Sequence, residues 1–196
     1  MSSAEAKLRA SHGDAESSES HSSRVMDLHL DGAKHKYSVD EAVLIRQAQA
    51  GRWEAFTELA GGYDSPLLAL ALRLTGSERE ARELFQRAFV RAYRELPSYR
   101  FHCSFYLWIY RVVAHTCMQF LQQRSSDAPA QGSTFAAALG QLSPRERIVL
   151  ELKHYFGLKL ETIASILETT EAVTRSTLVR AVLMLRLECE KQRHVS

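Results

Sequence analysis

Cysteine is scarce in this chain of 196 residues. Only Cys103, Cys117 and Cys189 occur, an odd number with no CxxC spacing. That pattern speaks against a disulfide framework and predicts reduced, structural thiols in a cytoplasmic protein. An excess of charge of one sign is missing too. The 25 Lys and Arg nearly balance the 23 Asp and Glu, leaving +2. No chain-wide basic field announces a nucleic-acid partner, so any basic footprint must be local. No apolar run approaches the 18 or so residues of a membrane span. The first 36 residues lack the apolar core of a signal peptide. They are rich in Ser, His and acidic residues, as in "SHGDAESSESHSS", and are expected to form a disordered tail over 1–36. The histidines there, His12, His21, His29 and His35, are irregularly spaced, and no metal site is expected of them. Strand signals are absent as well.

What is present is a 45% apolar share, enough for a packed core, and helical periodicity from Asp40 onward. "DEAVLIRQAQAG" opens on acidic residues and closes on Gly51. In "WEAFTELAGGYDSPLLALALRLTG", Gly61-Gly62 and Pro66 are expected to interrupt or kink a helix. "SEREARELFQRAFVRAYREL" has Ser77 as N-cap and an apolar stripe of Phe85, Ala88, Phe89, Ala92, Tyr93 and Leu96. Pro97 stops it, 97–103 reads as a loop, and Ser104 can cap a further helix running to about Arg124. "SSDAPAQGST" has linker composition. A linker over 125–138 can span at most roughly 45–50 Å, enough to separate two domains. Beyond it, Ser143, Pro144 and Glu146 form a capping box with proline at the first helical position. "LETIASIL" and a longer helix from 171 follow, separated by a short turn, which is the helix-turn-helix pattern. The expected fold is all-α in two helical domains, 37–124 and 139–196, joined by a flexible linker.

The specific words are more telling than the periodicity. "LTGSEREARELFQRAFVRAYREL" followed by "SFYLWIYRVVAH" resembles conserved region 2 of an extracytoplasmic-function sigma factor of the sigma-70 family. "LSPRERIVLELKHYFGLKLETIASILETTEAVTRSTLVRA" is similar to region 4 of that family. The two stretches occur in the family's order and together cover about 40–187. The resemblance implies a bacterial transcription initiation factor that binds core RNA polymerase and directs it to minus-10 and minus-35 promoter elements. It implies a DNA-binding, non-enzymatic protein of the cytoplasm, with an anti-sigma factor as a further partner and with no cofactor. The alternative is a sigma-like regulatory protein that engages an anti-sigma factor or polymerase without initiating transcription.

The resemblance also distributes roles. On the helix near 78–96, Arg82, Glu83, Leu84, Gln86 and Arg87 fall where the family docks on polymerase; members usually carry an acidic residue where Arg87 stands. The stretch 99–124 holds seven aromatic residues in 26 positions. Phe105, Trp108, Ile109, Val112 and Leu121 have core spacing. The loop residues Tyr99, Arg100, Phe101 and His102 need not all be buried. Single-stranded DNA is held by rings that stack on bases, roughly 1–3 kcal/mol each, beside cations that follow the backbone. The resemblance places the minus-10 base pocket here, with Arg111, His115 and Gln119 facing the strand. His102, Cys103, His115 and Cys117 do not make a zinc site, because 115 and 117 point to different sides of one helix. In the second domain, the exposed face of the recognition helix is expected to offer Glu171, Thr174, Arg175, Ser176, Thr177 and Arg180 to the minus-35 duplex. The family's usual turn glycine is Glu168 here, at a position that asks for positive φ.

Overall fold

The computed structural model describes residues 39–125 and 138–193. The expected tail, and the expected linker apart from its end residues 125 and 138, lie outside the described residues. The regular elements among the described residues are helical, as expected. They are α1 (Val39–Gln49), α2 (Trp53–Gly61), α3 (Asp64–Thr75), α4 (Glu78–Glu95), a 3-10 turn (Leu96–Ser98), α5 (Phe105–Ser125), α6 (Pro144–His154), α7 (Leu160–Ile166) and α8 (Glu171–Arg193).

Local chemistry sets most of these ends. α1 stops at Gly51, whose φ of +88° is open to glycine without strain. The chain breaks at Gly61-Gly62, while Pro66 falls inside the first turn of α3, where its missing N–H leaves no bond unmade. Gly76 caps α3 in the left-handed conformation and donates its N–H to Leu72 O. The Ser77 side chain accepts from the Glu80 N–H at the start of α4. Ser104 Oγ accepts from the Leu107 N–H at 3.2 Å and so opens α5.

Packing then departs from the expected stripe in one respect. On α4 the fully buried positions are Ala81, Leu84, Ala88 and Ala92, while Phe85, Phe89 and Tyr93 are half-buried. The alanines let α3 and α5 approach closely, and the rings fill the flank. Trp53 and Phe56 of α2 meet Tyr93 there at 5.0 and 5.2 Å between ring centroids. α5 is the central helix. Phe105, Tyr106, Trp108, Ile109, Tyr110, Val112, Val113 and Ala114 are all buried, so through its first half it is covered on nearly every side. Cys117 belongs to this core, and burial pushes its thiol up to about 12.

The helices α6, α7 and α8 enclose a second core, with Ile148, Leu152, Ile163 and Ile166 fully buried and Leu142, Leu150 and Ala181 clustered under α8. Two arginines tie this module to the first. Arg147 of α6 donates to Leu74 O at 2.8 Å, at the C-terminal, negative end of α3. Arg73 of α3 pairs with Glu151 of α6 and lies 4.1 Å over the Tyr155 ring.

Glu146 carries the entry to α6. Its carboxylate accepts from Ser143 N at 2.8 Å and Ser143 Oγ at 2.6 Å, and from Arg180 Nε of α8 at 2.5 Å. Burial alone would raise its pKa, but the Ser143 bonds and the Arg180 charge outweigh this and hold it below the ordinary value. A depressed carboxylate contributes stability above its unfolded pKa and loses it as pH falls through the folded one. Glu146→Ala is expected to cost about 1–2 kcal/mol at neutral pH, measured by urea unfolding. The gap to the parent chain should shrink in acid, below the ordinary carboxylate range. An equal gap at both pH values would show that the ionised carboxylate is not the source.

Candidate nucleic-acid interface

Three surfaces meet the expected site residues. Along α4, Arg82, Glu83, Gln86 and Arg87 are exposed, whereas Leu84 is buried at 1% exposure. Leu84 therefore anchors the helix from below instead of presenting itself to a partner. The exposed charges are satisfied locally: Arg79 pairs with Glu83 at 3.2 Å and Arg82 with Glu78 at 2.5 Å. Such solvent-exposed i,i+4 pairs are worth a few tenths of a kcal/mol and yield readily to a partner. The same face forms a shallow groove bordered by Glu83, Gln86, Arg87, Val90, Arg91 and Arg94. The sequence reading left out Val90, although it follows Gln86 by four residues and Glu83 by seven, the spacing of one helix face.

The second surface is the loop between the 3-10 turn and α5. Tyr99 does not stand open to a strand. It is 5% exposed, its hydroxyl donates to Cys103 O at 2.5 Å, and its ring meets those of Phe105 and Trp108. Gln49 Nε2 of α1 donates to Leu96 O and Tyr99 O, at 3.1 and 2.8 Å, and so fixes the loop from beneath. Above this floor Arg100 and His102 are exposed and Phe101 is half-buried. The φ of Phe101 is +59°, a conformation that costs a residue with a Cβ about 1 kcal/mol. The loop thus lifts one ring and two basic side chains from a rigid base.

Arg111 and His115 lie one turn apart on α5, and both meet the helix-turn-helix. Arg111 Nη1 pairs with Glu168 Oε1 at 3.0 Å, Arg111 Nη2 donates to Ser165 O at 3.0 Å, and His115 Nε2 is 3.9 Å from Glu168 Oε2. Glu168 has the positive φ expected of the turn, +50°. Burial above all, together with the Glu168 charge, raises the Cys103 thiol above its ordinary value, against the lowering effect of Arg111. Gln119 does not join the cluster. It accepts from Arg91 Nη1 of α4 at 3.3 Å, and so belongs to the α4–α5 seam.

The third surface is the start of α8. Thr174 and Thr177, expected on its open face, are buried at 1% and 8% exposure. Their hydroxyls donate to Thr170 O and Val173 O, one turn back along the chain, and so need no solvent. The open face carries Glu171, Arg175, Ser176 and Arg180. Both cations have acidic partners, Arg175 with Glu171 and Arg180 with Glu146, each at 2.5 Å. Among the described residues no helix is long and apolar enough to cross a membrane.

A family model described as Sigma-70 region 2 matches residues 59–126, and one described as Sigma-70, region 4 matches residues 134–185. The RNA polymerase sigma-H factor of Pseudomonas aeruginosa PAO1 is 27% identical over 169 residues, covering 70% of this chain and 88% of that protein. The ECF RNA polymerase sigma-E factor of Escherichia coli K12 is 26% identical over 172 residues, covering 72% of this chain and 90% of that one. Among solved structures, CnrH in complex with the cytosolic domain of CnrY aligns with a TM-score of 0.56 at 21% identity, covering 78% of this chain and 98% of that one. The sigma factor RpoE in complex with the anti-sigma factor NepR, from Bartonella quintana, aligns at 0.54 and 21%, covering 69% and 96%. The chain belongs to the sigma-70 family of RNA polymerase sigma factors, in its extracytoplasmic-function group.

Proposed function

We propose that this chain is a promoter-specificity subunit of bacterial RNA polymerase that recognises minus-10 and minus-35 elements and starts transcription from them. The observation that carries this reading is the pairing, in series, of a region 2 module with a region 4 helix-turn-helix. The chain makes and breaks no covalent bond in this role; polymerase does the chemistry, in the cytoplasm. The exposed α4 face docks on the polymerase. Arg100, Phe101 and His102, with Arg111 and His115, take up the melted minus-10 strand, where a ring stacks and cations follow phosphates. Arg175, in the first turns of α8, reads the minus-35 groove, and Arg180 touches phosphate. Two weak contacts on one polymerase then act as a single stronger one. An anti-sigma factor regulates the chain; both aligned structures are of complexes, and the RpoE partner is described as an anti-sigma factor.

The pairing of Arg175 and Arg180 of α8 with acidic neighbours favours a second reading, a sigma-like regulator that engages its partners without initiating. Transcription with purified core polymerase separates the two. Templates selected from a randomised promoter library are expected to give RNA with a fixed start only when this chain is added. A chain that binds core polymerase and yields no promoter-dependent RNA is the regulator.

A further inference from the structure

We infer that the polymerase surface that receives α4 is acidic opposite Arg87 and Arg94 and apolar opposite Val90, so that the C-terminal half of α4 docks by charge. The inference rests on the reading of α4 as the polymerase-docking face. The two halves of this helix differ. In the N-terminal half each exposed arginine has a carboxylate one turn away, Arg79 with Glu83 and Arg82 with Glu78. The C-terminal half is not balanced in this way. Arg91 pairs with Glu95 at 2.7 Å and donates to Gln119 Oε1 at 3.3 Å. Arg87 and Arg94 are exposed and have no acidic partner among the described residues, because the neighbouring carboxylates, Glu83 and Glu95, are held by Arg79 and Arg91. Positions 87, 90, 91 and 94 share one side of the helix. Their side chains border one shallow groove, and Val90 lies among the cations at 46% exposure.

Folding gives no reason for this row. Arg87 and Arg91 lie one turn apart, as do Arg91 and Arg94, and like charges at that spacing destabilise a helix. The negative C-terminal end of a helix attracts cations only within its last turn. That turn holds Arg94 and not Arg87. A free guanidinium presents a fork of donors that a carboxylate fills in the bidentate manner. Val90 between the two cations calls for an apolar contact, which a protein surface offers and a phosphate backbone does not. The receiving surface thus changes character along α4. Beside Glu83 and Gln86 it meets polar groups, and beside Arg87 and Arg94 it meets carboxylates. Paired charges of this kind steer the encounter and fix the register of docking, and their contribution fades with salt.

The test uses the full chain and dye-labelled core polymerase without DNA, titrated at low and at high potassium chloride. Arg87→Glu with Arg94→Glu is expected to weaken binding at least roughly tenfold at low salt, mostly through slower association in stopped flow, and to flatten the salt dependence. Arg87→Gln with Arg94→Gln removes both charges without reversing them and should fall between the parent and the Glu variant. Circular dichroism confirms that both are folded. Arg46→Glu with Arg186→Glu, at exposed positions of α1 and α8, changes the net charge equally and should leave affinity within about twofold. An equal loss in this control assigns the effect to net charge and overturns the inference. Unchanged or tighter binding by the Arg87 and Arg94 variants overturns it as well, and Glu83→Ala with Gln86→Ala then locates the fault. If that pair weakens binding, α4 docks without an acidic counterpart; if it does not, the docking reading itself has failed. Arg87 and Arg94 variants that bind core polymerase normally, yet weaken promoter binding by the assembled holoenzyme, reassign the two cations to DNA.

Discussion

Phe105→Ala is expected to destabilise the first helical module by about 3–5 kcal/mol, while Phe101→Ala, four residues away, should leave its unfolding midpoint within a few degrees. Phe105 is fully buried, with ring centroids of Tyr63, Trp108 and Tyr99 at 5.7, 5.4 and 6.3 Å. Removing it opens a cavity under the loop that this packing cannot readily close. Phe101 touches the Tyr99 ring at 5.1 Å from the solvent side and is half-buried at positive φ, so its loss removes some contact and no strain-free packing. Its effect should appear in promoter opening. Loss of one base-stacking ring is worth about 1–3 kcal/mol, roughly 5- to 150-fold. Permanganate reactivity of the minus-10 thymines should fall accordingly with holoenzyme assembly intact. Thermal unfolding and permanganate footprinting of both variants decide it. If Phe101→Ala unfolds the module as Phe105→Ala does, its ring is core and the stacking role is lost.

The double change Glu83→Ala with Gln86→Ala should weaken binding to core polymerase by about 2 kcal/mol, roughly thirtyfold. Both side chains are exposed on α4 beside Val90, and Glu83 forms an i,i+4 pair with Arg79. Losing that pair costs the isolated chain a few tenths of a kcal/mol, so its unfolding curve should hardly move. Leu84→Ala is the contrasting change, since its side chain supports α4 from the core. It should cost about 2–5 kcal/mol in stability, with polymerase affinity reduced only through the unfolded fraction. Titration of labelled core polymerase together with urea unfolding separates the two behaviours. Unchanged affinity in the double variant would place the docking surface elsewhere on the chain.

The helix ends were legible from the sequence because a cap or a stop involves atoms within a few residues of one another. Ser77, Ser104 and the Ser143–Glu146 box cap where they were expected to, and Gly51 stops α1. The order of the two conserved regions was legible for a different reason: it lies in the linear succession of words, which folding does not change. The positive φ at Glu168 belongs here as well, since the short turn between α7 and α8 imposes it whatever the side chain.

Burial of single residues was harder to read. Tyr99 and Phe101 are both aromatic residues of one short loop, yet one is floor and the other rim, because Gln49, fifty positions before Tyr99, pins the backbone there. Thr174 and Thr177 looked like groove residues by type, but their hydroxyls are satisfied by their own helix and their methyl groups can face the core. The sequence by itself determined the helices, their limits, the family and the presence of a turn that strains a non-glycine residue. Only the tertiary structure decided that Arg111 and His115 meet the carboxylate at that turn, because α5 and α7 touch through packing between residues more than fifty positions apart.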